Sequence, residues 1–228
     1  MTREAFIKVL DEKGYSYEIE GDKLVVTGGG FGIQLGSLET LPPGVVFRNR
    51  GGVDLRSLET LPPGVEFNNE GGVDLSSLKT LPPGVVFKNG GWVHLDSLET
   101  IHPGVEFKNV GHIWLNSLQT LPSGVKFNNE GSVDLRSLKT LPPGVEFKNV
   151  GAVNLRSLKT LPSGVEFTNG GDVYLWSLET LPPGVEFKNV GGVYLESLVG
   201  GFQEWSGNIE GVDSKMLLNV MIKQGLFI

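Results

Sequence analysis

Leucine recurs at every twentieth position from Leu35 to Leu195, with no insertion or deletion between copies. The surrounding phrase keeps the same register, as in Gly51-Gly52-Val53-Asp54-Leu55-Arg56-Ser57-Leu58-Glu59-Thr60-Leu61-Pro62-Pro63-Gly64-Val65-Glu66-Phe67-Asn68-Asn69-Glu70. A period that never slips requires each unit to close one turn of a coil. Identical side chains then fall above one another when the coils stack. The array fills residues 31–200, so the chain reads as one elongated domain rather than two globular ones. Most of its 33 glycines sit at fixed points of the repeat and therefore serve turns, not flexible linkers.

Within one unit, Val53-Asp54-Leu55 and Val65-Glu66-Phe67 alternate apolar and polar residues, the spacing of half-buried strands. Leu58 and Leu61 stand three apart and run into Pro62-Pro63-Gly64, which predicts a bend or short helical turn between the two strands. The fold class expected is mainly β: a parallel β-solenoid with two short strands per 20-residue coil. Eight complete coils and a partial ninth would make a rod on the order of 40 Å long. A lone coil has nothing to bury its apolar side chains against, so stability must come from stacking. Asparagine at 49, 69, 89, 109, 129, 149, 169 and 189 reads as an internal ladder that satisfies loop carbonyls.

The phrase resembles the short leucine-rich repeats of bacteria, especially the 20-residue kind with a Leu-Pro-Pro step, as in Leu58-Glu59-Thr60-Leu61-Pro62-Pro63-Gly64. Similar Leu-Pro-x-Gly repeats look like those of bacterial and phage proteins, a group tied to no single chemistry. Here the asparagine follows Val65-Glu66-Phe67 rather than the Val53-Asp54-Leu55 strand, so the expectation is a leucine-rich-repeat-like β-solenoid.

Both ends read as caps. Thr2 can cap a helix over residues 3–13 that stops at Gly14, and a hairpin follows that turns at Gly21-Asp22, which makes residues 1–30 an N-terminal cap. Asp213 can cap a helix from Ser214 to Gln224 within residues 201–228. A solenoid exposes an apolar cross-section at each end, and caps cover it.

A net charge of −7 argues against direct binding of nucleic acid, which needs a basic face. The chain contains no cysteine, which fits a reducing cytoplasm and removes thiolate chemistry. No run approaches the roughly 20 apolar residues of a membrane span, and the N-terminus does not read as a signal peptide.

Function is expected where the copies disagree, because framework residues are fixed by stacking. The outward columns of the first strand carry Trp92, His94, His112, Trp114, Arg136, Arg156, Tyr174, Trp176 and Tyr194. Stacking should place Trp92 beside His112 and His94 beside Trp114, with Tyr174, Trp176 and Tyr194 in a second patch near Arg136 and Arg156. Solvent-facing aromatics beside arginine have the composition of protein-binding hot spots. His94, His112 and Asp96 form the one plausible polar constellation, but two histidines on a diagonal about 7 to 8 Å apart are too loose for one metal ion. The expectation is a non-enzymatic protein-binding module with no cofactor. The alternatives are a structural module that forms homo-oligomers through its caps, and a phage-type inhibitor of a host complex that mimics nucleic acid.

Overall fold

The computed structural model describes residues 1–28 and 31–198. An α-helix, α1 (Arg3–Glu12), opens the chain, with the Thr2 hydroxyl accepting from the Ala5 N–H at 3.2 Å. Gly14 follows with φ +69°, a left-handed conformation that ends the helix. Strands β1 (Tyr17–Glu20) and β2 (Lys23–Val26) then pair as the antiparallel hairpin. The first strands of the array are β3 (Ile33–Gln34) and β4 (Val45–Phe47). β2 lies parallel to β4, with Leu24 opposite Val45 and Val26 opposite Phe47, so the hairpin continues the array's own sheet. Phe6 and Leu10 of α1 are fully buried in the common core with Leu24 and Val26.

From there the chain is a parallel β-solenoid of about eight turns. One sheet of nine strands runs from Ile33–Gln34 to Val193–Tyr194, and a ten-stranded sheet runs from the hairpin through Val45–Phe47 to Glu186–Phe187. Register is kept without slippage: Val93 pairs with Val73 on one side and Ile113 on the other. The ladder follows from the sequence period: in the nine-stranded sheet residue i bonds the carbonyl of residue i+19. Val93 N–H donates to the His112 carbonyl at 2.8 Å, and Leu95 N–H to that of Trp114 at 3.0 Å.

The segment after Leu58 differs from a helical turn. It is a third extended face, which becomes a regular two-stranded sheet at Thr80–Leu81 and Thr100–Ile101. His102 supplies the reason. In the coils on either side the equivalent residue is Pro82 or Pro122, which has no N–H, whereas His102 N–H donates to the Leu81 carbonyl at 2.9 Å. Each coil therefore has three sides and three corners. The corner after this segment is held by glycine in the left-handed region, from φ +72° at Gly164 to +86° at Gly104, where a Cβ would be strained.

Two columns stand out in an interior otherwise filled by aliphatic side chains. Phe47, Phe67, Phe87, Phe107, Phe127, Phe147, Phe167 and Phe187 are buried and stack face to face, with successive centroids 5.1 Å apart at Phe67–Phe87 and 5.5 Å at Phe127–Phe147. Beside them runs the asparagine ladder, buried along its whole length. The Asn69 Nδ2 donates to the Gly71 carbonyl of its own coil at 2.9 Å and to the Gly51 carbonyl of the preceding coil at 3.1 Å. The ladder joins corners that would otherwise hold buried carbonyls with few donors. The C-terminal helix expected from Ser214 to Gln224 lies outside the described residues.

Candidate functional site

The nine-stranded sheet places its strand residues alternately in and out. Val53, Val73 and their equivalents point into the core, and the residue after each points outward, half-buried in most coils. The outward residues differ from coil to coil, and the differences collect into distinct zones along the rod.

Near the middle, Trp92, His94, His112 and Trp114 form one aromatic cluster. His94 lies directly opposite Trp114 in the parallel register, and their ring centroids are 5.3 Å apart, edge to face. Trp114 is the hub: Trp92 meets it at 5.9 Å and His112 stacks on it at 6.1 Å. Trp92 thus reaches diagonally to Trp114 and, at 6.0 Å, to His94, rather than pairing ring to ring with His112. Gly72 makes room for this, because any Cβ there would run into the Trp92 indole. Trp92 remains 40% exposed and His112 is also exposed, so the cluster presents ring surface to solvent.

A polar edge backs the rings. His94 Nε2 lies 2.5 Å from Asp96 Oδ2, and Asn116 Nδ2 donates to the other Asp96 oxygen at 2.5 Å. His94 Nδ1 is 3.9 Å from Asp74 Oδ1. His112 Nδ1 accepts from the Ser132 N–H at 3.1 Å, which turns that ring toward the next coil. Among the described residues, no group of three or more His, Asp or Glu side chains is arranged to hold a metal ion.

The second cluster joins Tyr174, Trp176 and Tyr194. The two tyrosines stack at 4.9 Å, and Trp176 meets Tyr174 edge-on at 5.7 Å. Trp176 and Tyr194 are each 37% exposed. The Tyr174 hydroxyl donates to Asp172 Oδ2 at 3.0 Å, and burial followed by that carboxylate raises its pKa above the usual phenol value. Asp172 also accepts from the Gly192 N–H at 2.7 Å.

Between the clusters stand Arg136 and Arg156, in the same column but in different states. Arg136 donates through Nε and Nη2 to both carboxylate oxygens of Asp134, two residues before it. Arg156 follows Asn154, not aspartate, and its backbone N–H donates to Asn154 Oδ1 at 3.3 Å. By sequence position alone the two arginines are equivalent. The signal that separates them, aspartate at 134 against asparagine at 154, was present in the chain but carries meaning only once the side chains are seen to meet.

The ten-stranded face is a net of ion pairs. Lys126 and Lys148 reach Glu146 at 2.7 and 2.5 Å, and Lys188 reaches Glu186 and Glu166 at 2.5 and 3.4 Å. Hydrogen bonds from the two lysines hold the Glu146 carboxyl down to about 2. Shallow grooves on this face, lined by Gly144, Lys148, Ser163 and Thr168 and by Gly104, Lys108, Ser123 and Asn128, lie among these self-paired charges. No helix among the described residues is long and apolar enough to cross a membrane. Comparison of the chain with family models, with curated proteins and with solved structures finds no match.

Proposed function

We propose that the chain is a non-enzymatic protein-binding solenoid whose nine-stranded face touches the partner through its two aromatic clusters. One observation carries this reading: ring surface of Trp92, Trp176 and Tyr194 faces solvent on the columns that do not repeat, while the repeated columns are spent on stacking. Exposed aromatic groups of this kind are the usual anchors of protein interfaces. A rod built of sheets, with charges of its ten-stranded face paired to one another, offers partners an extended surface rather than an enclosed pocket.

Residues 1–30 act as an N-terminal cap on a module that works in the cytoplasm. The repeat is kin to the leucine-rich repeats of bacteria and phages. The test is capture of partners from cell extract with the full chain as bait, compared with the double variants Trp92→Ala/Trp114→Ala and Tyr174→Ala/Trp176→Ala. Proteins captured by the parent chain should be lost with either variant while the melting temperature stays within a few degrees. Equal capture by all three would place the interface elsewhere.

A further inference from the structure

The protein-binding reading leaves the chemistry of the partner open, and one column narrows it. Three coils carry arginine at the third outward position of the first strand, at Arg56, Arg136 and Arg156. Arg56 Nε donates to Asp54 Oδ1 at 2.9 Å, and Arg136 binds Asp134 through two nitrogens. In the third of these coils Asn154 replaces the aspartate. The Arg156 guanidinium accordingly forms no ion pair and no hydrogen bond among the described residues, although the chain as a whole carries a net charge of −7. The carboxylates nearest along this face are already engaged: Asp134 by Arg136, Asp172 by Tyr174 and the Gly192 N–H, and Asp96 by His94 and Asn116. An unneutralised guanidinium half-buried between two aromatic clusters is a receptor for a carboxylate.

The geometry sets the spacing. Trp114 and Tyr174 lie three coils apart, about 14 Å along the rod at roughly 4.8 Å per coil. Side chains i and i+4 of an extended peptide point the same way and are separated by about 13.6 Å at roughly 3.4 Å per residue. Residue i+2 falls between them on the same side, within reach of the long Arg156 side chain. The strip is narrow, because each strand of this sheet is only two residues long before the chain turns.

We propose that this strip docks an extended acidic peptide, with apolar side chains at i and i+4 on the Trp92–Trp114 and Tyr174–Tyr194 clusters and a carboxylate at i+2 on Arg156. The proposal rests on the protein-binding reading of the same face.

The probe is a labelled peptide with the core Trp-Ser-Glu-Ser-Trp, titrated against the full chain by fluorescence anisotropy. Replacing its glutamate with glutamine should weaken binding about tenfold, the scale of one charge-assisted bond. Bringing the tryptophans to i and i+2 should weaken it by a similar factor. The decisive variant is Asn154→Asp, which recreates the pair already present at Asp54–Arg56 and Asp134–Arg136 and so leaves the coil intact. In Asn154→Asp, and in Arg156→Gln, the glutamate and glutamine peptides should bind alike. Failure of the parent chain to bind the glutamate peptide, or unchanged preference for it in Asn154→Asp, overturns the proposal. If extract partners are lost with the aromatic double variants but bind Asn154→Asp at full strength, the face is right and the acidic peptide is wrong. If the aromatic variants retain every partner, the binding face itself has failed.

Discussion

The side-chain amide of Asn109 donates to the carbonyl of Gly91, one coil behind it, at 3.2 Å, and to that of Gly111 in its own coil at 2.9 Å. Its Oδ1 is buried and accepts from no group among the described residues. The side chain therefore acts as a donor alone. The Gly91 carbonyl keeps other donors, Asn89 and the Gly111 N–H, if Asn109 is removed. Asn109→Ala should cost about 2 kcal/mol, the scale of two lost hydrogen bonds. Asn109→Asp should cost more, because it aims a buried negative charge at carbonyl oxygens. Urea unfolding of the two variants checks the order; equal losses would mean that the amide matters only for its shape.

The phenylalanine column behaves as a chain of contacts. Phe107 lies between Phe87 and Phe127, with centroids 5.4 and 5.3 Å away. Phe107→Ala should destabilise by about 3 to 5 kcal/mol through lost burial and the cavity left behind. Phe107→Leu should cost less, because it fills part of the space. In a stacked array the damage falls first on neighbouring coils, so hydrogen exchange should rise around residues 85–129 before it rises near residue 180.

Gly131 marks how closely the corners approach. A Cβ there would lie 2.5 Å from the backbone nitrogen of His112. Gly131→Ala should therefore destabilise by about 1 to 3 kcal/mol through overpacking, read as a lower melting temperature. A neutral result would show that adjacent coils can separate without cost.

Acid should weaken the ten-stranded face. Hydrogen bonds from lysine or arginine lower the carboxyl pKa of Glu20, Glu66 and Glu106, and lower that of Glu146 to about 2 from an ordinary 4.5. A carboxyl depressed in the folded state releases its proton more readily there than in the unfolded chain. Its contribution is complete above about pH 4.5 and is lost as pH falls toward 2 for Glu146. The melting temperature should fall across that window. The part due to Glu146 should shrink in Lys126→Gln/Lys148→Gln and in high salt, because the pairs are exposed. A melting temperature unaffected by that double substitution at every pH would assign the acid sensitivity to other groups.

Much of the architecture was legible because the repeat repeats. Val53 and Leu55 fix the inward side of one strand, Phe67 that of the next, and Asn69 the ladder; the observed register reproduces all three without a shift. The helix start at Thr2 was legible for a local reason, since an N-cap depends on a hydroxyl and the N–H three residues on. The third face is not legible in the sequence. Leu58 and Leu61 fit a turn as well as an extended segment, and the choice depends on bonds to the neighbouring coil, such as His102 to Leu81. The site divides in the same way. The outward columns and the residues in them could be read, but not that Trp114 is the hub or that Arg136 is paired while Arg156 is not.

The sequence by itself determined the period, the sidedness of each strand and the list of side chains that differ between copies, because these depend only on order along the chain. Tertiary structure decided which of those side chains meet. Residues twenty apart become neighbours only through stacking, and whether an arginine finds a carboxylate or a ring finds a glycine to lie on is set by rotamers and distances of a few ångströms. Asn154 beside Arg156 is the clearest case: one changed side chain in a repeated phrase, given a consequence by the fold.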